Sequence, residues 1–180
     1  MPRYVALLRA VNVGGASAIR MEALSALLTQ HGFRGVRTLL QSGYVVFEAG
    51  SQGAAALERQ LEMSVETNLG VRTDVLVRSS SEWDSIIARN PFPNEAREEP
   101  SRLVVTALKE PPQDAGWRAL RTAIRGPEVT AGAGREAYIV YPNGQGRSKL
   151  TINVIERALG TRGTSRNWNT VLRVRDALGE

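Results

Sequence analysis

Four stretches of this chain carry residue types able to hold a negative charge. They are the turn Asn12-Val13-Gly14-Gly15, the turn Gln41-Ser42-Gly43, the basic run PNGQGRSKL (142–150) and the block TSRNWNT (164–170). Adjacent glycines let backbone N–H groups converge on an anion, and a helix N-terminus just beyond adds partial positive charge. The same glycines also serve as plain tight turns. In 142–150, Arg147 and Lys149 suit a phosphate or carboxylate, with Ser148 as donor or helix cap. The order Gly146-Arg147-Ser148-Lys149 departs from G-x-x-x-x-G-K-[ST], so this is no Walker loop, and a solvated loop is the competing reading. With Thr164 or Ser165 as N-cap, Arg166, Asn167 and Trp168 fall in the first turn of a helix, where N–H groups lack intrahelical partners. Trp168 shares a face with Val171 and Leu172 and reads as an anchor. Asparagine is a poor helix interior residue, so Asn167 and Asn169 imply specific hydrogen bonds to a neighbouring loop or to a ligand.

Catalytic chemistry has little footing. The chain has no cysteine, which removes disulfides, thiolate metal sites, iron–sulfur clusters and thiol nucleophiles. Its one histidine, His31, sits at the end of a predicted helix and reads as a surface residue. No G-x-S-x-G occurs, and the paired acids Glu98-Glu99 lie in a Pro/acid-rich linker. The balance leans away from an enzyme: no catalytic residue, no metal and no cofactor is expected.

The elements that must position these residues fall into two similar halves. Arg3–Arg9 reads as a strand, Met21 to Leu28 as an amphipathic helix stopped at Gly32, Val36–Gln41 and Tyr44–Glu48 as a hairpin, Leu57 to Val65 as a second helix and Val71–Arg78 as a strand. A connecting helix capped by Ser81 and the loop 90–100 follow, and the order then repeats: strand Arg102–Leu108, a helix opened by Pro111-Pro112, a hairpin across GAGR, helix Lys149–Leu159. In place of a last strand, a helix from Ser165 to Leu178 is expected. The reading is α+β: two ferredoxin-like (βαββαβ) sandwiches, residues 1–80 and 101–180, joined by 81–100, the second unit ending in a helix. A single mixed sheet is the alternative. In such a unit the turn after the first strand and the β2–β3 hairpin share one end of the sheet, which brings Asn12, Gly14 and Gly15 near Gln41 and Ser42, flanked by Arg9 and Tyr44. The repeat is one of element order, without convincing residue identity.

Hydrophobic residues make up 42% and charged residues 23%, a globular composition. The net charge of +5 is concentrated late: residues 143–180 hold seven bases against three acids, 7 − 3 = +4. A basic patch attracts phosphates or nucleic acid. No signal peptide or apolar run of membrane-spanning length is visible, so a cytoplasmic location is expected, with no membrane partner and an oligomeric state left open.

Taken together, LLRAVNVGG (7–15), Met21 to Leu28, GFRGVRTLLQSGYVVFE (32–48), Asn90-Pro91-Phe92, GRSKL (146–150) and TSRNWNTV (164–171) resemble a bacterial family catalogued as a domain of unknown function, number sixteen ninety-seven. The resemblance implies paired ferredoxin-like units and brings no established activity. Its usual Q-S-G-N hairpin carries Tyr44 here in place of asparagine. The resulting expectation is a binding or regulatory protein for a small phosphate- or carboxylate-bearing ligand, with Arg9, Asn12, Gly14, Gly15, Gln41, Ser42 and Tyr44 on one wall. Arg147, Ser148, Lys149, Arg166, Asn167 and Asn169 form the other wall if the halves fold together. Two rivals remain: single-stranded RNA binding, with Tyr4 and Tyr44 as stacking aromatics on strands one and three, and a protein-interaction module using an exposed sheet.

Overall fold

The computed structural model describes residues 1–9, 19–39 and 43–180. The chain divides into two compact units, Met1–Ser85 with Val174–Glu180, and Ile86–Arg173. Each has βαββαβ order and a four-stranded antiparallel sheet, as in ferredoxin-like folds.

In the first unit β1 (Arg3–Leu8), α1 (Met21–Gln30), β2 (Arg34–Thr38), β3 (Tyr44–Glu48), α2 (Ala54–Leu69) and β4 (Val75–Ser79) give the sheet order β2-β3-β1-β4. Alternation decides which side chains meet the helices. Tyr4, Ala6 and Leu8 join Val45, Phe47, Val75 and Val77 beneath Leu24, Leu27 and Leu28 of α1 and Leu57, Leu61 and Val65 of α2. Tyr4 and Phe47, opposite one another across the ladder, stack with ring centres 5.9 Å apart. The other face, carrying Val5, Leu7, Tyr44, Val46 and Leu76, is equally buried. A strand covered on both sides reads as a continuous apolar run, which explains the unbroken YVALL. On that second face Arg3 donates to the Leu178 carbonyl at 3.0 Å and Arg37 to that of Ala177 at 2.6 Å, so two guanidinium groups hold the last turn of the C-terminal helix.

Tyr4 and Tyr44, expected as stacking aromatics, are both buried. Tyr4 is 7% exposed and Tyr44 0%, on opposite faces of the sheet, so neither offers a ring to a nucleic-acid base. Nor is there an exposed apolar sheet face: among the described residues the large exposed apolar side chains are Met1, Met63 and Val129, scattered singly.

After α3 (Ser80–Ala88) and α4 (Pro93–Glu98), the second unit runs β5 (Leu103–Leu108), α5 (Asp114–Ala123), β6 (Val129–Ala133), β7 (Glu136–Val140), α6 (Ile152–Leu159), β8 (Gly163–Asn167) and α7 (Trp168–Gly179), with sheet order β6-β7-β5-β8. Its core joins Val104, Leu108, Ala137, Ile139 and Tyr141 to Leu120, Ile155 and Leu159 of the helices. Gly132 is required in β6 because the ring of Trp117 lies where its Cβ would be, 2.3 Å away. Gly134, at φ +61°, makes the tight β6–β7 turn.

Several boundaries differ from the sequence reading for physical reasons. Gly163–Asn167 is a strand, not the start of a helix, and the second unit therefore completes its sheet before the added helix α7. β5 is buried at every residue, so the backbone groups along its second side need a partner, and β8 supplies it. Ser79, rather than Ser81, caps α3: its Oγ accepts from the Glu82 amide at 3.2 Å while the Glu82 carboxylate accepts from the Ser79 amide at 2.7 Å, a reciprocal capping box. α6 begins at Ile152 behind a Thr151 cap, leaving Ser148 and Lys149 in the preceding loop. β4 begins at Val75.

Superimposing the two ladders exposes a repeat at residue level. Arg78 on β4 stands opposite Val5, and Arg166 on β8 stands opposite Val105, the third residues of β1 and β5. Each arginine donates Nη1 to the carbonyl of its preceding residue, Val77 at 3.0 Å and Ser165 at 2.8 Å. Opposite the sixth residues, the amides of Val75 and Gly163 donate to Glu62 on α2 (2.9 Å) and Glu156 on α6 (3.1 Å). Ser79 and Asn167 then cap the helices that follow. The polar strand GTSRN is thus the counterpart of VLVRS, although position by position only the arginine is the same.

Candidate functional site

A cleft of about 640 Å³ opens at one end of the second sheet, where β5 stops and α6 turns into β8. Backbone pairing builds it. The Lys109 amide donates to the Arg162 carbonyl at 2.8 Å, and the Glu110 amide donates to Thr161 Oγ1 at 3.0 Å. α6 ends on Gly160 in the left-handed region, φ 70°, which reverses the chain over the cleft. Lys109, Arg157 and Arg162 line it together with Asn153, Thr161, Glu110 and Glu156. Three cations against two carboxylates leave 3 − 2 = +1. Glu156 is committed to the Gly163 amide, and Arg157, exposed in the last turn of α6, makes no ion pair among the described residues. Part of this charge complements the carbonyl end of α6. The remainder suits a small anion, with the Thr161 hydroxyl and the Asn153 amide as neutral donors.

Residues singled out from the sequence are distributed as follows. Asn12, Gly14, Gly15, Gln41 and Ser42 lie outside the described residues. Arg9, at the end of β1, is half-buried; its amide donates to the Asp74 carbonyl at 3.0 Å and its carbonyl accepts from Thr73 Oγ1 at 2.7 Å. In the second unit Arg147 and Lys149 are exposed in the loop before α6, and neither makes an ion pair among the described residues. Ser148 is occupied as a staple, donating to Glu128 at 2.6 Å and accepting from the Leu150 amide at 2.9 Å. Arg166 belongs to β8, where its Nη1 also meets Thr164 Oγ1 at 2.7 Å. The Asn167 side chain caps α7 by accepting from the Thr170 amide at 3.0 Å, and Asn169 is exposed in the first turn. Arg166 and Asn167 therefore both spend hydrogen-bonding groups on the fold.

Of the cleft residues, Arg157 and Arg162 stand out in the sequence only as members of the basic stretch 143–180. Lys109, Asn153 and Thr161 carry no such signal, because the β5–β8 pairing that gathers them depends on a strand with no apolar signature. Among the described residues no three His, Asp or Glu side chains gather around a point where a metal ion would sit. No helix among them is long and apolar enough to cross a membrane.

The family described as "Protein of unknown function (DUF1697)" matches residues 1–138. The chain belongs to this family. The DUF1697 match takes in the first unit as far as Ser85, leaving out its C-terminal Val174–Glu180, and continues to Tyr138 in β7, so Lys109 and Glu110 fall inside it, and Arg157 and Arg162 beyond it. A conserved bacterial protein from Streptococcus pneumoniae has a solved structure similar to this DUF1697 chain, with a TM-score of 0.78 at 19% identity, covering 98% of each chain. At that identity the likeness is one of fold. No curated protein matches the chain.

Proposed function

We propose that this protein binds a small phosphate- or carboxylate-bearing ligand, and that the cleft at the end of the second sheet is where it does so. The observation that carries the reading is the convergence of Lys109, Arg157 and Arg162 on one cleft of about 640 Å³, a volume suited to a small molecule. A competing location for the same activity is the loop holding the exposed Arg147 and Lys149.

Thermal melting against inorganic phosphate, sugar phosphates and small dicarboxylates, each at low and high salt, tests both locations. A ligand in large excess over its Kd raises stability by about 2.7 kcal/mol at a hundredfold excess, enough to shift Tm by several degrees. The expected result is a compound-specific rise that Arg157→Ala abolishes and Lys149→Ala leaves intact. Arg157 is exposed, so the variant should fold normally. The reverse pattern moves the site to the 142–149 loop. A flat response to every compound defeats the reading.

A further inference from the structure

The sheets treat their free edges unequally. Exposed strand edges invite pairing with other chains, and folded proteins protect them with charges, bulges or covering groups. Among the described residues three of the four edge strands are protected in this way. On β4 the outward amides of Val75 and Val77 are taken by Glu62 and Glu58, each at 2.9 Å. On β8 Glu156 takes the Gly163 amide at 3.1 Å and Arg166 the Ser165 carbonyl at 2.8 Å. β2 carries Arg34 and Arg37, with a register shift between them.

The fourth edge is different. β6, Val129–Ala133, contains no charge and no proline, has no residue fully buried, and no side chain bonds its backbone among the described residues. Val129 is 50% exposed, one of the few large apolar side chains left in water.

We propose that β6 is a dimerisation edge, and that its partner is β6 of a second copy of this chain. Antiparallel pairing of identical strands is two-fold symmetric and self-complementary, the commonest geometry of homodimers. A register centred on Ala131 sets Val129 against Ala133 and Thr130 against Gly132 of the second copy. The flanks agree in charge: Glu128 precedes the strand and Arg135 follows it, so each acid approaches the basic turn of the other copy. Self-pairing of β2 would instead bring Arg34 and Arg37 of two copies, four like charges, along one short edge. The joined sheet would be eight-stranded and continuous. Five residues a side bury less than the roughly 1,000 Å² of a tight complex, so the dimer is weak and concentration-dependent.

Sedimentation velocity over a wide dilution series tests this. The natural chain should pass from monomer to dimer with concentration, Val129→Lys should stay monomeric with unchanged Tm, and Val129→Thr should still associate. Because the chain has no cysteine, Ala131→Cys gives a second readout: mild oxidation should yield a covalent dimer well above that of a Met63→Cys control, whose side chain is exposed elsewhere. A chain that stays monomeric throughout, with no excess Ala131→Cys dimer, overturns the proposal. So does a dimer that survives Val129→Lys.

Discussion

Tyr138 shows how burial of a single group makes stability depend on pH. Its hydroxyl donates to the Ile86 carbonyl at 2.6 Å, and burial first, then the neighbouring Glu136 carboxylate, pushes its pKa from 10.0 up to about 12, with Arg89 opposing. Tyr141 is raised as well, by burial and then by Glu128. The neutral phenol is the form the fold accepts, while the unfolded chain ionises near pH 10. The stabilisation is therefore whole below pH 10 and is lost as pH climbs through about 12, on the order of 2 kcal/mol for Tyr138. Urea denaturation between pH 9 and 12 should show a falling midpoint in the natural chain. Tyr138→Phe should start lower, by about 1 kcal/mol for the lost hydrogen bond, and fall less steeply. An equal slope in both proteins would mean that Tyr138 does not control this range.

Strands and helices here are joined by carboxylates reaching from a helix to the edge of the sheet. Glu62 and Glu156 occupy matching places in the two units and take matching strand amides. Replacing either by alanine leaves a partly buried N–H without that acceptor, at a cost of about 1–3 kcal/mol, and should lower the urea midpoint with little change in slope. Glu156→Ala should also disturb the cleft, since the Gly163 amide it holds follows Arg162 directly. Unchanged stability in both variants would show that water replaces the carboxylates without loss. At this scale the sequence was legible wherever apolar runs mark an element: β1, α1, β3, α2, β5 and β7 lie close to where spacing places them. It was illegible for β8. Gly-Thr-Ser-Arg-Asn has no apolar alternation, and its extended form comes from pairing with β5 and from the arginine that bonds its own strand.

For the whole molecule, the first unit is not a contiguous stretch of chain, because Val174–Glu180 belongs to it. Arg3 and Arg37 fasten the helix end through the Leu178 and Ala177 carbonyls, and Arg37 also pairs with the Glu180 carboxylate. Ending the chain at Arg173 should therefore destabilise a unit whose other residues all lie before position 86. It removes the buried Val174, Ala177 and Leu178, each apolar side chain worth about 1–3 kcal/mol. Hydrogen exchange should show faster exchange of β1 and β3 amides in the shortened chain. Unaltered protection there would mean that the helix end contributes nothing to the first sheet.

From the sequence alone came the fold class, the βαββαβ order of the first unit and all but the last strand of the second, the family and the absence of thiol chemistry. These follow from local properties: side-chain periodicity, turn residues and composition. Tertiary structure decided that GTSRN is a strand, that Tyr4 and Tyr44 are buried, that the Lys109 amide meets the Arg162 carbonyl across a ladder, and that among the described residues one sheet edge lacks protection. Each of these depends on which distant segments pair. Backbone hydrogen bonds between strands ignore side-chain type, so no local pattern in the chain records them.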